Sequence, residues 1–162
     1  MTESGAASAT FHLRQALPTD TAAIHRLTRE AYAKWIPVIG REPRPMSVDY
    51  EAAMREHRFD LLYLGAALVG LIETAQEEDR ILIVNVAVAP DFQGRGLGRK
   101  LMAQAEEIAA SCGVGRIRLY TNKRFEANIR LYGRLGYRVD REEDVGDGIA
   151  VHMSKDIAIT AA

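Results

Sequence analysis

The stretch Val86–Lys100, VAVAPDFQGRGLGRK, constrains this chain more than any other. It begins inside a nearly continuous apolar run, Arg80–Ala89 (RILIVNVAVA), which reads as a strand covered on both faces. Pro90 ends that strand, because proline cannot donate to a sheet ladder. Gly94, Gly96 and Gly98 then strip side chains from the start of a helix. Its apolar positions, Leu97, Leu101, Ala105, Ile108 and Cys112, recur at helical spacing, and Gly113 is placed to stop it. A buried strand passing through a glycine loop into an amphipathic helix commits the chain to a layered α/β domain.

The other elements follow from local pattern. Residues 1–10 read as a flexible tail, 11–156 as a single domain and 157–162 as a second tail. Phe11–Gln15 alternates as a strand. Thr19 or Asp20 caps a helix striped by Ile24, Leu27 and Ala31, with Trp35 as an extension. Residues 36–46 (IPVIGREPRPM) hold prolines at 37, 43 and 45, which exclude a regular helix or a central strand. Ser47 restarts a helix that runs to about His57, with Asp49 and Glu51 in its first turn. Phe59–Leu64 and Leu68–Ala75 form a hairpin around residues 65–67. Arg116–Thr121 is a strand, Glu126–Leu135 a helix stopped by Gly136, and Tyr137–Glu143 and Ile149–Lys155 the last two strands. The order β-α-α-β-β-β-α-β-α-β-β predicts a mixed sheet with helices on its faces.

Composition removes several classes of function. Lys and Arg total 21 against 22 Asp and Glu, so no basic excess supports a general nucleic-acid binder. No apolar run is long enough to span a bilayer, and Met1–Thr10 lacks a secretory pattern, so no membrane partner is expected. Cys112 is the only cysteine, which excludes a disulfide framework and fits a cytoplasmic location. The histidines at 12, 25, 57 and 152 lack ligand-pair spacing, so no metal is expected. Cys112 itself reads as packing on the stripe of its helix.

Glycines at the start of a helix let backbone N–H groups approach an anion, and the helix dipole adds to the attraction. Arg95, Arg99 and Lys100 contribute full charges, so the loop suits a pyrophosphate. A dinucleotide fingerprint fails, because Arg99 stands where its last glycine belongs. A P-loop fails, because Gly98 is followed by Arg99 and Lys100 rather than by Lys and Ser or Thr. A tight turn flanked by solvated arginines accounts for the same residues.

The segment Gln93-Gly94-Arg95-Gly96-Leu97-Gly98 resembles the Gln/Arg-x-x-Gly-x-Gly/Ala acyl-CoA signature of the GCN5-related N-acetyltransferase (GNAT) superfamily. Val86–Pro90 resembles the family's preceding strand. Asn128, Tyr132 and Leu135-Gly136-Tyr137 resemble its downstream block. The resemblance spans roughly residues 11–156 and implies a mixed, mostly antiparallel sheet of about seven strands flanked by about four helices. It implies an N-acetyltransferase that moves an acetyl group from acetyl-CoA to a primary amine, on a small molecule or a peptide, by direct attack. It leaves room for a homodimer.

The resemblance also implies roles. Gln93, Gly94, Arg95, Gly96, Gly98 and Arg99 would wrap the pyrophosphate. Val86, Ala87 and Val88 would bond the pantetheine arm by main chain, splayed from the strand Arg116–Thr121, with an N–H near Ala87 or Val88 polarising the acetyl carbonyl. Asn128 would hold the cofactor arm, and Tyr132 would protonate the leaving thiolate. Asn128 also suits a helix cap, and Tyr132 shares an apolar face with Ile129 and Leu135, which suits core packing.

One departure concerns the general base. Many members carry a glutamate on the buried strand, where this chain has Val84 followed by Asn85. Glu73 on the adjacent strand is the nearest substitute, or else a carboxylate at the hairpin rim; His25, His57 and His152 follow. An α-amine, with a pKa of about 7.7–8.0, needs little help to become neutral, whereas a lysine amine at about 10.4 needs much more. The missing glutamate therefore favours a low-pKa amine or a water-relayed base. It equally motivates a CoA-binding or sensing module with little turnover. Residues 36–46, with Arg41 and Arg44, are expected to border the acceptor and to meet an anionic group on it.

Overall fold

The computed structural model describes residues 10–159. Residues 1–9 and 160–162 of the two expected tails lie outside the described residues. The chain runs β1 (Phe11–Gln15), α1 (Thr21–Tyr32), α2 (Ile36–Ile39), α3 (Tyr50–Glu56), β2 (Arg58–Leu64), β3 (Ala67–Gln76), β4 (Ile81–Val88), α4 (Leu97–Ser111), β5 (Arg116–Asn122), α5 (Glu126–Arg134), β6 (Arg138–Asp144) and β7 (Ile149–Asp156). The strands form one seven-stranded sheet in the order β1-β2-β3-β4-β5-β7-β6. Only β4 and β5 run parallel, and α4 is their crossover.

Two cores sandwich the sheet. On one face Leu97, Leu101, Met102, Ala105 and Ile108 of α4 pack on Ile72, Ile83, Ile117 and Met153. On the other, Ile24, Leu27 and Ala31 of α1 and Tyr50 of α3 pack on Phe59, Leu61, Leu71 and Ala87. No helix of the described residues is long and apolar enough to cross a membrane.

Strand β4 departs from the expected strand covered on both faces. Its burial alternates, with Ile81, Ile83, Asn85 and Ala87 buried and the intervening residues half-buried. Thr74 pairs with Ile83 while Glu73 pairs with Asn85, which leaves Val84 as an extra residue in a β-bulge. The bulge reverses the side-chain alternation. Ile81 and Ile83 face α4, whereas Asn85 and Ala87 face α1. Beyond it the sheet forks, because β4 pairs with β5 only across Ile81–Ile83 and Ile117–Leu119.

Smaller differences have local causes. Residues 36–39 form one helical turn, with Pro37 in the first turn where a missing N–H is harmless, and Gly40 ends it at φ 75°. Helix α3 starts at Tyr50, not Ser47, because Asp49 is its cap and accepts from the Ala52 N–H at 3.2 Å. The Asp20 side chain does not cap α1, because it binds the Arg14 guanidinium at 2.8 Å and the Leu17 N–H at 2.7 Å. Cys112 is exposed rather than packed, since it falls at the end of α4 beyond the last buried turn.

Candidate active site

Two cavities open beside the fork. The first, about 430 Å³, lies against the start of α4 and is lined by Val86, Ala87, Val88, Gln93, Gly94, Gly96, Gly98 and Arg99. Gly94 and Gly96 hold φ of 78° and 81°, with open space where a Cβ would project. L side chains are strained there, and the bare backbone leaves the first-turn N–H groups of α4 accessible. Gly98 is in ordinary conformation and brings α4 against Leu131 of α5. Gln93 fixes the loop, donating from Nε2 to the Val88 carbonyl at 3.0 Å and accepting from Lys34 Nζ at 2.8 Å. Arg95 is not brought to this cavity; its guanidinium stacks on Phe92 at 5.1 Å. Lys34 and Trp35 do line it, although neither is marked by any sequence motif. Burial lowers the Lys34 ammonium from its ordinary value.

The main chain of β4 supplies the fork. The Ala89 N–H donates to Val69 O, so by antiparallel alternation Ala87 also bonds towards β3. The N–H and C=O groups of Val86 and Val88 therefore point away from β3, into the fork. Of the two expected main-chain donors, Ala87 is committed to the sheet and Val88 is free to serve.

The second cavity, about 410 Å³, opens on the α1 face of the sheet. It shares Tyr32, Val86, Asn128 and Tyr132 with the first, so the two meet at the fork. Asn128 lies in the first turn of α5, and Phe125 occupies the cap position instead. Tyr132 is half-buried, and desolvation of its phenol pushes its pKa up to about 12 and keeps it protonated at neutral pH. Burial likewise holds the Tyr32 hydroxyl well above its ordinary value. That hydroxyl donates to Asn85 Oδ1 at 2.8 Å. Asn85 Nδ2 reaches Thr28 Oγ1 and Tyr50 Oη, each at 3.4 Å, and Tyr50 donates to the Pro45 carbonyl. This buried chain ties α1, α3 and β4 to the segment that walls the second cavity.

Sequence reasoning offered Glu73 as the base, and the geometry sets it apart from the other site residues. It stands opposite Asn85 on the same face of the sheet, yet it lines neither cavity. It is 3% exposed and accepts from His57 Nδ1 at 2.6 Å. Burial raises its pKa, and His57 partly offsets that rise. The second cavity instead contains Glu143 and His152, from β6 and β7. Arg41 and Arg44 wall it too, both within reach of the Asp147 carboxylate, at 3.2 and 3.3 Å. Among the described residues no cluster of His, Cys, Asp and Glu is placed to hold a metal ion.

Three comparisons bear on this geometry. The sequence model of the acetyltransferase (GNAT) family matches residues 21–137. The spermidine N(1)-acetyltransferase of Thermoplasma acidophilum (strain ATCC 25905) is 24% identical over 94 residues, covering 56% of this chain and 58% of that protein. The chain thus matches little more than half the length of that relative. The ribosomal-protein-S18-alanine N-acetyltransferase from Escherichia coli superposes with a TM-score of 0.77 at 21% identity, over 94% of this chain and 97% of that one. The PaiA N-acetyltransferase from Thermoplasma acidophilum, in complex with coenzyme A, gives 0.78 at 16% identity, over 91% and 99%. At such identities the structural likeness speaks for the fold.

Proposed function

The chain belongs to the acetyltransferase (GNAT) family, and on that premise we propose that residues 11–156 act as one domain that transfers an acetyl group from acetyl-CoA to a primary amine. The observation that carries this reading is the meeting of two cavities at the fork, one suited to an anionic cofactor and the other holding polar side chains. A pyrophosphate fits the first. The bare backbone of Gly94 and Gly96 and the start of α4 offer N–H groups, and Arg99 offers charge. Val86 and Val88 extend the sheet to the pantetheine arm by main-chain bonds. Gln93 acts through the loop it holds, Arg95 through its stack on Phe92, and Asn128 from α5 borders the arm.

Acetyl-CoA supplies an activated acyl group on sulfur. An N–H of Val86 or Val88 stabilises negative charge that develops on the acetyl oxygen. Tyr132, protonated and at the junction of the cavities, donates to the departing sulfur. The acceptor approaches through the second cavity, a small amine or a peptide terminus fitting its size. The single, exposed Cys112 supports a reducing compartment, the cytoplasm.

A second reading is a CoA-binding module with little turnover. What favours it is the lack of a carboxylate at the fork, where β4 offers Val84 and Asn85 and Glu73 is turned to His57. Thiol release from acetyl-CoA, followed across a panel of amines and peptides with mass detection of products, decides between them. Amine-dependent release at a steady rate supports the transferase. Tight CoA binding with no release for any acceptor supports the binding module.

A further inference from the structure

An attacking amine must shed a proton, and the fork offers it no carboxylate. The acceptor cavity does contain an imidazole, and His152 is the one histidine lining it among the described residues. On β7 the neighbours Val151 and Met153 belong to the α4-side core, so His152 projects to the opposite face, into the cavity. Its side chain is 14% exposed, and Nε2 lies 3.0 Å from Glu143 Oε1 on β6. Tyr120, its partner in the β5–β7 register, sets its ring 5.6 Å away. With Nε2–H donating to the carboxylate, the tautomer is fixed and Nδ1 keeps its lone pair. A base oriented by a third group is the arrangement that activates nucleophiles in many unrelated sites.

Resting on the transferase reading above, we propose that His152 is the proton acceptor for the attacking amine and that Glu143 is its positioning residue. The amine nitrogen forms a bond to the acetyl carbon as the carbon–sulfur bond breaks. The proton lost from nitrogen passes to His152 Nδ1, directly or through one water, and the sulfur takes its proton from Tyr132. Solvent then removes the first proton and restores the second, so the products are the amide and free thiol. The charged and titratable groups facing His152 are Glu143 and its ion partner Arg141 on β6 and Tyr120 on β5. Across the cavity are Arg41, Arg44, Tyr32 and Tyr132.

The test follows turnover against pH for the unmodified protein, His152→Gln and Glu143→Gln, using a weakly basic amine so that any acid limb belongs to the protein. The unmodified protein should lose kcat on the acid side of its pH profile, as a mechanism with a neutral base requires. His152→Gln should lose about 100-fold at pH 7.5, with that limb abolished and KM for acetyl-CoA unchanged. Added imidazole should restore part of the rate. Glu143→Gln should keep the limb and lose about 10-fold, less than the histidine variant. A His152→Asn variant carries the same prediction, so a folding failure of one substitution does not decide the result. A His152 variant that keeps both rate and acid limb, while the unmodified protein turns over, overturns the role of His152 alone. No turnover by the unmodified protein on any acceptor overturns the transferase reading, and the base with it.

Discussion

Glu73 and Asn85 face each other across β3 and β4, both buried on the α1 side of the sheet, and only Asn85 reaches a cavity. Asn85 accepts from Tyr32 at the junction of the two cavities. Glu73 is closed off with His57. We propose that a carboxylate in that setting acts on stability rather than on the acceptor.

The pH dependence of that effect has a definite sign. Burial raises the Glu73 pKa above its ordinary value, so the folded state holds the proton more tightly than the unfolded chain. Its contribution is fully present below the ordinary glutamate range and is lost as pH rises through the raised value. Glu73→Gln should therefore flatten the fall in Tm as pH rises from the ordinary glutamate range upward, while changing kcat less than about threefold. Thermal unfolding across that range checks the first part. A loss of activity of about 100-fold or more in the folded variant restores Glu73 as the base.

Gly96 tests the cofactor loop. At φ 81° a side chain costs about 1–2 kcal/mol in backbone strain alone, and a glutamate adds negative charge at the proposed pyrophosphate site. Gly96→Glu should abolish CoA binding in calorimetry while thermal unfolding remains cooperative. Retained affinity in a folded variant means that the cofactor binds elsewhere.

Tyr132 separates chemistry from packing. Its phenol is protonated and borders both cavities. Tyr132→Phe keeps the ring and removes the proton, so kcat should fall about 10-fold or more with acetyl-CoA affinity nearly unchanged. An unaltered kcat, with chemistry shown to limit the rate, reduces Tyr132 to a core residue.

Arg41 and Arg44 were expected to meet an anionic group on the acceptor, and the structure engages both with Asp147 in the turn between β6 and β7. An anionic acceptor must compete with that carboxylate. Asp147→Asn should lower KM for carboxylate-bearing amines, and replacing both arginines by Gln should raise it, each without effect on KM for acetyl-CoA. Exposed ion pairs contribute about 0–1 kcal/mol, so Tm should move little in either case. An amine KM indifferent to all three substitutions removes the anionic acceptor.

The loop Gln93–Arg99 was legible because everything it needs is close in sequence. A strand end, three glycines and a helix start lie within one short segment, and local propensity and backbone conformation decide its shape. The succession of strands and helices along the chain was legible for a related reason, since hydrophobic period distinguishes strand from helix. The elements of the second cavity were not. Arg44, Tyr120, Glu143 and His152 come from distant parts of the chain and meet only when β5, β6 and β7 pair and the segment after α2 folds over them. No spacing in the sequence pairs His152 with Glu143, because the bulge between Val139 and Arg141 shifts β6 against β7 by one residue. The same physics decided that Asn85, not Val84, stands opposite Glu73 on the α1 side of the sheet. Alternation alone cannot say which face a residue takes once Val84 inserts an unpaired step, since a single extra residue reverses every side chain beyond it. The sequence by itself determined the glycine loop and the kind of fold, through interactions between near neighbours in the chain. The tertiary structure alone decided which titratable groups face the second cavity, because strand register and bulges are set by packing between segments far apart.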